Sequence, residues 1–191
     1  MPNEALENFS PDWTDPWARP GLEATYMMAW APPGAKVGFD MGCGDRTSAP
    51  WLIGVDHHCG RWTSKGGLVF MTTPDVVADV RHVPFPDGCA DLVVSKHTLE
   101  HFADSAEVLP EWIRLLRLGG YLVIVVPDYR YTYSCCNADQ RVAGPGEGHK
   151  QDFTLEMLCY DVARFCEQLK FVDARETCTH WSVGAALERV Q

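Results

Sequence analysis

No two of the eight cysteines in this 191-residue chain are separated by two residues, the spacing at which paired zinc ligands usually stand. Cys43, Cys59, Cys89, Cys135, Cys136, Cys159, Cys166 and Cys178 therefore read as free thiols. Asp56-His57-His58-Cys59 has metal-ligand residue types, but adjacent loop residues rarely converge on one ion, so no metal is expected. Cys135-Cys136 could close a vicinal disulfide; in a reducing compartment two thiols are expected. Long apolar runs are also missing. None approaches the ~20 residues that cross a bilayer, and Met1-Pro2-Asn3-Glu4 begins without a basic region followed by an apolar core. The expectation is a soluble, cytoplasmic protein with no membrane partner.

Positive charge is scarce. Sixteen Lys and Arg against 26 Asp and Glu give a formal net charge of -10. Nucleic-acid affinity rests mainly on phosphate neutralisation, so a polyanionic partner is disfavoured and a small or neutral one fits better. Internal repeats and low-complexity tracts are absent, and nothing marks a second domain. A chain of this length can bury about 70% of its unfolded surface without disulfides or metals.

What is present begins with Val37-Gly38-Phe39-Asp40-Met41-Gly42-Cys43-Gly44-Asp45, an apolar strand that ends near an aspartate and breaks into two glycines. Glycine adopts any turn dihedral and lets a ligand approach the main chain, which is how a Rossmann-like sheet meets a nucleotide-like cofactor. Asp40 would repel phosphate and could receive the ammonium of a bound amino acid.

Around this turn the pattern alternates between strands and helices, as in a mainly parallel sheet. Strands are expected at Val37 to Met41, Leu52 to Val55 closing on Asp56, Val76 to Val80, Asp91 to Ser95 and Tyr121 to Val126. The helix that normally joins the first two is reduced to a turn around Arg46 to Pro50. A helical stretch broken or kinked near Pro110 is expected to stop at Gly119-Gly120. Thr154 reads as the N-cap of a helix with Leu155, Leu158, Val162, Phe165, Cys166 and Leu169 on one face. Strands near Phe171 to Thr177 and Trp181 to Leu187 would finish the sheet, although Gly184-Ala185-Ala186 also suits a helix. Residues 1–35 read as an aromatic-rich cap or lead-in, with a helix from about Gly21 to Trp30. Its Trp13, Trp17, Tyr26 and Trp30 either pack on the sheet or line an entrance. The segment from Tyr129 to Gln151 is irregular and suits a substrate loop, and Tyr129, Tyr131 and Tyr133 suit either stacking on a sugar or ordinary packing.

Asp40, Asp56 and Asp79 sit near the ends of successive strands, and ligands of open parallel sheets bind outside those ends. An acid closing the second strand can accept both ribose hydroxyls, one closing the third can reach the adenine amine, and one beside the glycines can reach an ammonium. Together they describe S-adenosyl-L-methionine. A dinucleotide would want Gly-x-Gly-x-x-Gly and a full helix facing its pyrophosphate, whereas the third position here is Thr47.

Five segments in order resemble a class I S-adenosylmethionine-dependent methyltransferase. They are Asp40 to Gly44, Ile53 to Asp56, Ala78-Asp79-Val80 running to Gly88, Asp91 to His101-Phe102, and Leu116 to Leu122. The short link between strands one and two is similar to that of small enzymes associated with glycan pathways, as is Gly148-His149-Lys150-Gln151-Asp152-Phe153-Thr154. Leu118 stands where the family usually has proline. The resemblance implies an α/β, Rossmann-like methyltransferase fold over residues 36–191, with a mainly parallel sheet of about seven strands and helices on both faces. It implies Asp40, Gly42, Gly44, Asp56, Asp79, Val80 and Ser95 as the cofactor-binding set. His97, His101 and His149 are the base candidates, each with a purely structural role as the alternative.

The function expected is in-line methyl transfer to a small-molecule or saccharide hydroxyl. Ser95-Lys96-His97-Thr98 lacks the Asp- or Asn-Pro-Pro-aromatic tetrad of base-clamping nucleic-acid methylases. The alternatives are a cofactor-binding sensor or partner module without catalysis, and a dinucleotide-dependent oxidoreductase. Oligomeric state is not encoded in any motif.

Overall fold

A computed structural model describes residues 6, 9–12, 19–63, 69–132 and 148–191. Trp13, Trp17, Tyr133, Cys135 and Cys136 lie outside the described residues. Among the described residues, nine strands form two sheets: β1 (Gly38–Met41), β2 (Ile53–Asp56), β3 (Gly60–Thr63), β4 (Val69–Thr72), β5 (Val76–Val77), β6 (Ala90–Lys96), β7 (Leu116–Pro127), β8 (Leu169–Cys178) and β9 (Ser182–Arg189). The main sheet has seven strands in the order β5-β2-β1-β6-β7-β9-β8. Its first five neighbours run parallel, and β9 inserts antiparallel to both β7 and β8.

Strand alternation builds two cores. Val93 of β6 and Leu122, Ile124 and Val126 of β7 face one layer, where α2 (Leu109–Leu115) and α3 (Leu155–Val162) supply Trp112, Ile113, Leu158 and Val162. Leu92, Val94, Val123 and Val125 face the other, covered by α1 (Arg19–Met28), with Tyr26, Met27 and the following Trp30 buried. Tyr26 and Trp30 thus pack on the sheet. Tyr26 also donates its hydroxyl hydrogen to Asp173 on β8 at 3.1 Å. Gly184 makes this fit possible, because a Cβ there would lie 2.8 Å from the Tyr26 ring. Gly184-Ala185-Ala186 is therefore strand, not helix.

Several elements differ from the sequence expectation. The helix expected to reach Gly119-Gly120 ends at Leu115, and β7 begins at once with Leu116 in extended backbone. The glycine pair instead marks a register shift between β6 and β7. A Cβ on Gly120 would crowd the carbonyl oxygens of Arg117, Ala90 and Asp91 at 3.0–3.1 Å. At Pro110 the helical stretch is broken, not kinked: α2 starts at Leu109, and the proline sits in its first turn, where its missing N–H costs no hydrogen bond. Before it, the chain makes two short 3-10 turns, Leu99–His101 and Ser105–Glu107, the second closed by an Asp104/Glu107 capping box.

Strand three is only the pair Val76–Val77, and the preceding loop contains the β3–β4 hairpin. The β1–β2 link is turns alone, as expected. Cys43 and Thr47 lie against Gly54 so closely that a Cβ there would meet both at 2.8 Å. Thr154 caps α3 by accepting the Met157 N–H at 3.3 Å, but Cys166 is exposed and Leu169 already belongs to β8.

Asp91 ties the start of β1 to β7. Its carboxylate accepts the N–H groups of Lys36 and Val37 at 2.7 and 3.0 Å and the Arg117 Nε–H at 2.6 Å. Burial opposes ionisation, but these donors prevail and bring its pKa down to about 2. A depressed carboxylate stabilises the fold above its unfolded pKa and loses that contribution as pH falls through the folded value. Asp91→Asn should cost about 1 kcal/mol at pH 7, allowing for solvent screening. In urea melts the gap to wild type should close between about pH 4 and pH 2; a gap independent of pH would contradict the assignment.

Candidate cofactor and acceptor cleft

A cleft of about 420 Å³ opens where β1, β2, β5 and β6 end. Its floor is the turn after β1. Gly42 holds φ +74° and donates its N–H to Val55 at 2.8 Å, while Thr98 fills the space a Cβ would need. Thr98 is held there by donating to the Met41 carbonyl at 3.0 Å. Gly44, at φ +62°, donates its N–H to Asp56 Oδ2 at 3.0 Å. Asp56 Oδ1 accepts the His58 N–H at 2.9 Å. Each oxygen keeps a second lone pair for a ligand hydroxyl. Asp56 thus shapes the turn and faces the cleft at once.

Asp79 also lines the cleft, two residues beyond β5. It is bracketed by Arg81, whose Nε and Nη2 lie 3.0 and 2.6 Å from Oδ2. That side-chain hydrogen bond holds its carboxyl below the usual range, against a smaller effect of burial. A ligand amine must share this acid with Arg81. Asp79→Ala should therefore weaken binding of S-adenosyl-L-homocysteine by only about 1 kcal/mol, read by calorimetry; a loss of about 3 kcal/mol or more, over a hundredfold, would mean Asp79 carries the adenine end alone. Val80 is buried beneath it, its carbonyl accepting the Trp112 indole N–H at 3.0 Å.

Two of the expected cofactor residues are not among those lining the cleft. Alternation places Asp40 on the α1 face with Val94, its register partner. It is 2% exposed and accepts the Ser48 N–H at 2.6 Å, bracing the short link. Burial pushes its carboxyl up in pKa despite that bond. Ser95 falls on the opposite face, beside Met41 and Ile124, fully buried with no hydrogen-bond partner for its hydroxyl.

The three histidines converge on a residue the sequence reading passed over. His97, at φ +55°, follows β6 and places Nε2 2.8 Å from Glu23 on α1. Burial works against its charged form, but Glu23 outweighs it and raises the imidazole pKa. Its Nδ1 lies 3.8 Å from Glu100 Oε1, and His149 Nε2 lies 3.9 Å from the same oxygen. His101 meets His149 edge to face at 5.2 Å between ring centroids, and burial first, then His149, lowers its pKa to about 4. Glu100 is 1% exposed, and burial lifts its carboxyl to about 7. The strap carrying His149 is fastened by the Lys150 and Gln151 N–H groups, which donate to the Glu100 carbonyl at 2.7 and 3.2 Å. His97, His101 and Lys150 line the cleft. Glu100 was visible only as the neighbour of His101, and Glu23 had no local signal because its partner is 74 residues away. Tyr129 and Tyr131 are exposed outside this cleft, Tyr131 lying 4.5 Å from the His180 ring.

The sheet order, the bare turn after β1 and the acid closing β2 define a Rossmann-like domain. Residues 39–124 match the family described as methyltransferase domain. A Mycolicibacterium smegmatis protein named "Probable S-adenosylmethionine-dependent methyltransferase" is 38% identical over 61 residues, 29% of this chain and 23% of its own length. Ajmaline N-methyltransferase of Rauvolfia serpentina is 37% identical over 54 residues, 28% of this chain and 19% of its own. The chain thus matches less than a quarter of the length of either relative. Among solved structures, geranyl diphosphate C-methyltransferase from Streptomyces coelicolor, crystallised with Mg2+, geranyl diphosphate and S-adenosyl-L-homocysteine, superposes with a TM-score of 0.60 at 13% identity. That superposition covers 89% of this chain and 79% of that one. YcgJ of Bacillus subtilis gives 0.58 at 14% identity over 92% and 99%. Residues 39–124 thus match a methyltransferase domain, and the fold is the one seen in solved S-adenosylmethionine-dependent methyltransferases. No helix among the described residues is long and apolar enough to cross a membrane.

Proposed function

We propose that the protein binds S-adenosyl-L-methionine in this cleft and transfers its methyl group to a hydroxyl of a small molecule or saccharide. The observation that carries the reading is Asp56, which fastens the Gly44 amide and still faces the cleft with lone pairs for a ribose. Gly42, Gly44, Asp79 and Val80 complete the cofactor wall, and Asp40 acts behind it by bracing the link through Ser48. His97, His101 and Lys150 supply the opposite wall, toward the acceptor.

In such a transfer the acceptor oxygen bonds to the methyl carbon as the carbon–sulfur bond breaks, and the hydroxyl proton passes to a base or to water. S-adenosyl-L-homocysteine leaves. Most of the enzyme's task is alignment, which suits a cleft whose floor is main chain and whose walls are fixed by buried partners. The names of two relatives, an ajmaline N-methyltransferase and a geranyl diphosphate C-methyltransferase, support a small-molecule acceptor without supporting oxygen as its atom. The choice of hydroxyl, and of sugars, rests on the likeness of the short link and of Gly148 to Thr154 to glycan-pathway enzymes.

Methyl-labelled cofactor offered with separate pools of mono- and oligosaccharides, amines and carboxylic acids tests this. Label should appear on the saccharide or another hydroxyl-bearing pool. Label confined to amines or carboxylates overturns the acceptor class, and bound cofactor with transfer to nothing turns the protein into a binding module.

A further inference from the structure

We propose that Glu100, His101 and His149 form a binding site for one divalent transition-metal ion of the zinc, cobalt or manganese type. One ligand atom from each lies within 4.8 Å of the other two, the one such group of His, Cys, Asp and Glu among the described residues. The Asp56-His57-His58-Cys59 run does not form one. The proposal departs from the sequence expectation that no metal is bound.

The second observation is the carboxylate itself. Glu100 is 1% exposed, and both of its oxygens are buried without a hydrogen-bond partner. A buried carboxylate is normally satisfied by hydrogen-bond donors or by a cation in contact, and one whose nearest imidazole nitrogens, of His97 and His149, stop at 3.8 and 3.9 Å asks for an explanation. A metal ion supplies it. Two imidazoles with one carboxylate suit first-row transition ions, whereas magnesium and calcium favour all-oxygen cages.

The surrounding bonds orient the ligands. His101 lies with Nδ1 3.3 Å from the Gly148 carbonyl, which can only accept, so the proton sits on Nδ1 and the lone pair on Nε2. A backbone carbonyl is a common partner for the non-ligating nitrogen of a metal-bound histidine. The two ligand segments, the turn Leu99–His101 and the strap from Gly148 to Gln151, are joined through the Glu100 carbonyl. An ion about 2 Å from each ligand needs those atoms roughly 3.5 Å apart, so the set closes by about an ångström on binding. Three protein ligands leave a position for water or for an acceptor oxygen, and His101 borders the cleft. Any part in methyl transfer rests on the reading above; ion binding itself does not.

The test uses the whole purified protein, treated with chelator and titrated without S-adenosyl-L-methionine. Zinc alone is followed by calorimetry and cobalt alone by visible absorption. Wild type should bind one equivalent of zinc, with cobalt showing the bands of a nitrogen–oxygen site. Glu100→Gln should weaken zinc binding by more than about 100-fold, because loss of an outer partner alone reaches 10- to 100-fold. Its metal-free melting temperature should stay level or rise, since an amide of the same shape replaces a buried carboxyl group whose oxygens have no hydrogen-bond partner, so lost binding is not lost folding. His149→Ala should lose binding too, and the double variant His57→Ala/His58→Ala should bind as wild type. No stoichiometric binding by wild type, unchanged binding by Glu100→Gln, or loss confined to the His57/His58 variant each overturns the proposal. Cofactor titration of the same sample reports separately on the methyltransferase reading.

Discussion

Asp56→Ala should weaken binding of S-adenosyl-L-homocysteine by about 3 kcal/mol, a little over a hundredfold, with the variant still folded. The loss has two sources. Charge-assisted bonds to a ribose are stronger than neutral ones, and truncation removes both oxygens. It also frees the Gly44 N–H at 3.0 Å and the His58 N–H at 2.9 Å, so the turn that forms the floor loses its anchor. Asp56→Asn retains one acceptor and should lose less than the alanine variant. The difference from Asp79→Ala is the informative quantity, because Asp79 already shares its carboxylate with the Arg81 guanidinium while Asp56 bonds two backbone amides, with the His57 ring no nearer than 3.5 Å. Calorimetric affinities of the two variants that fall together would sink this division of labour.

Gly42→Ala should lower folding stability by roughly 3 to 4 kcal/mol, and Gly44→Ala by only about 1 kcal/mol. Both glycines occupy the left-handed region, at φ +74° and +62°, so both substitutions incur conformational strain. They differ in space. A Cβ at Gly42 would collide with the Thr98 side chain, which is pinned to the Met41 carbonyl, whereas nothing lies within 4 Å of one at Gly44. Overpacking of this kind adds roughly 1 to 3 kcal/mol to the strain. Urea denaturation of the two variants reads the contrast directly, and equal losses would show that Thr98 yields.

Why some of this was legible in the chain follows from where each constraint originates. The apolar runs of β6 and β7 and the glycine break after β1 are local signals, and local pattern was enough to order them. Thr154 announced α3 because capping is a property of four consecutive residues. Gly119-Gly120 misled because helix termination and a strand irregularity both call for glycine. Only the crowding of Gly120 against the carbonyls of Ala90 and Asp91, residues of the neighbouring strand, decides between them. The β3–β4 hairpin had a signal that went unused, the Gly66-Gly67 pair between two β-prone stretches.

At the site, Asp56 and Asp79 could be placed by the rule that ligands bind beyond strand ends. Asp40 is not among the residues that line the cleft. Alternation within β1 puts it opposite Phe39 and Met41, both of which belong to the α2 and α3 core. The histidine cluster was foreseen residue by residue but not as a cluster. Its geometry depends on the strap closing over Glu100 and on α1 bringing Glu23 to His97, and neither contact has a sequence signature.

The most direct test of the account is a calorimetric titration of folded protein, freed of copurified ligand, with S-adenosyl-L-methionine, S-adenosyl-L-homocysteine and NADH. The arrangement of Asp56 beneath the Gly42 to Gly44 turn predicts stoichiometric binding of the first two and none of NADH. Binding of NADH, or of neither sulfur compound, would contradict it.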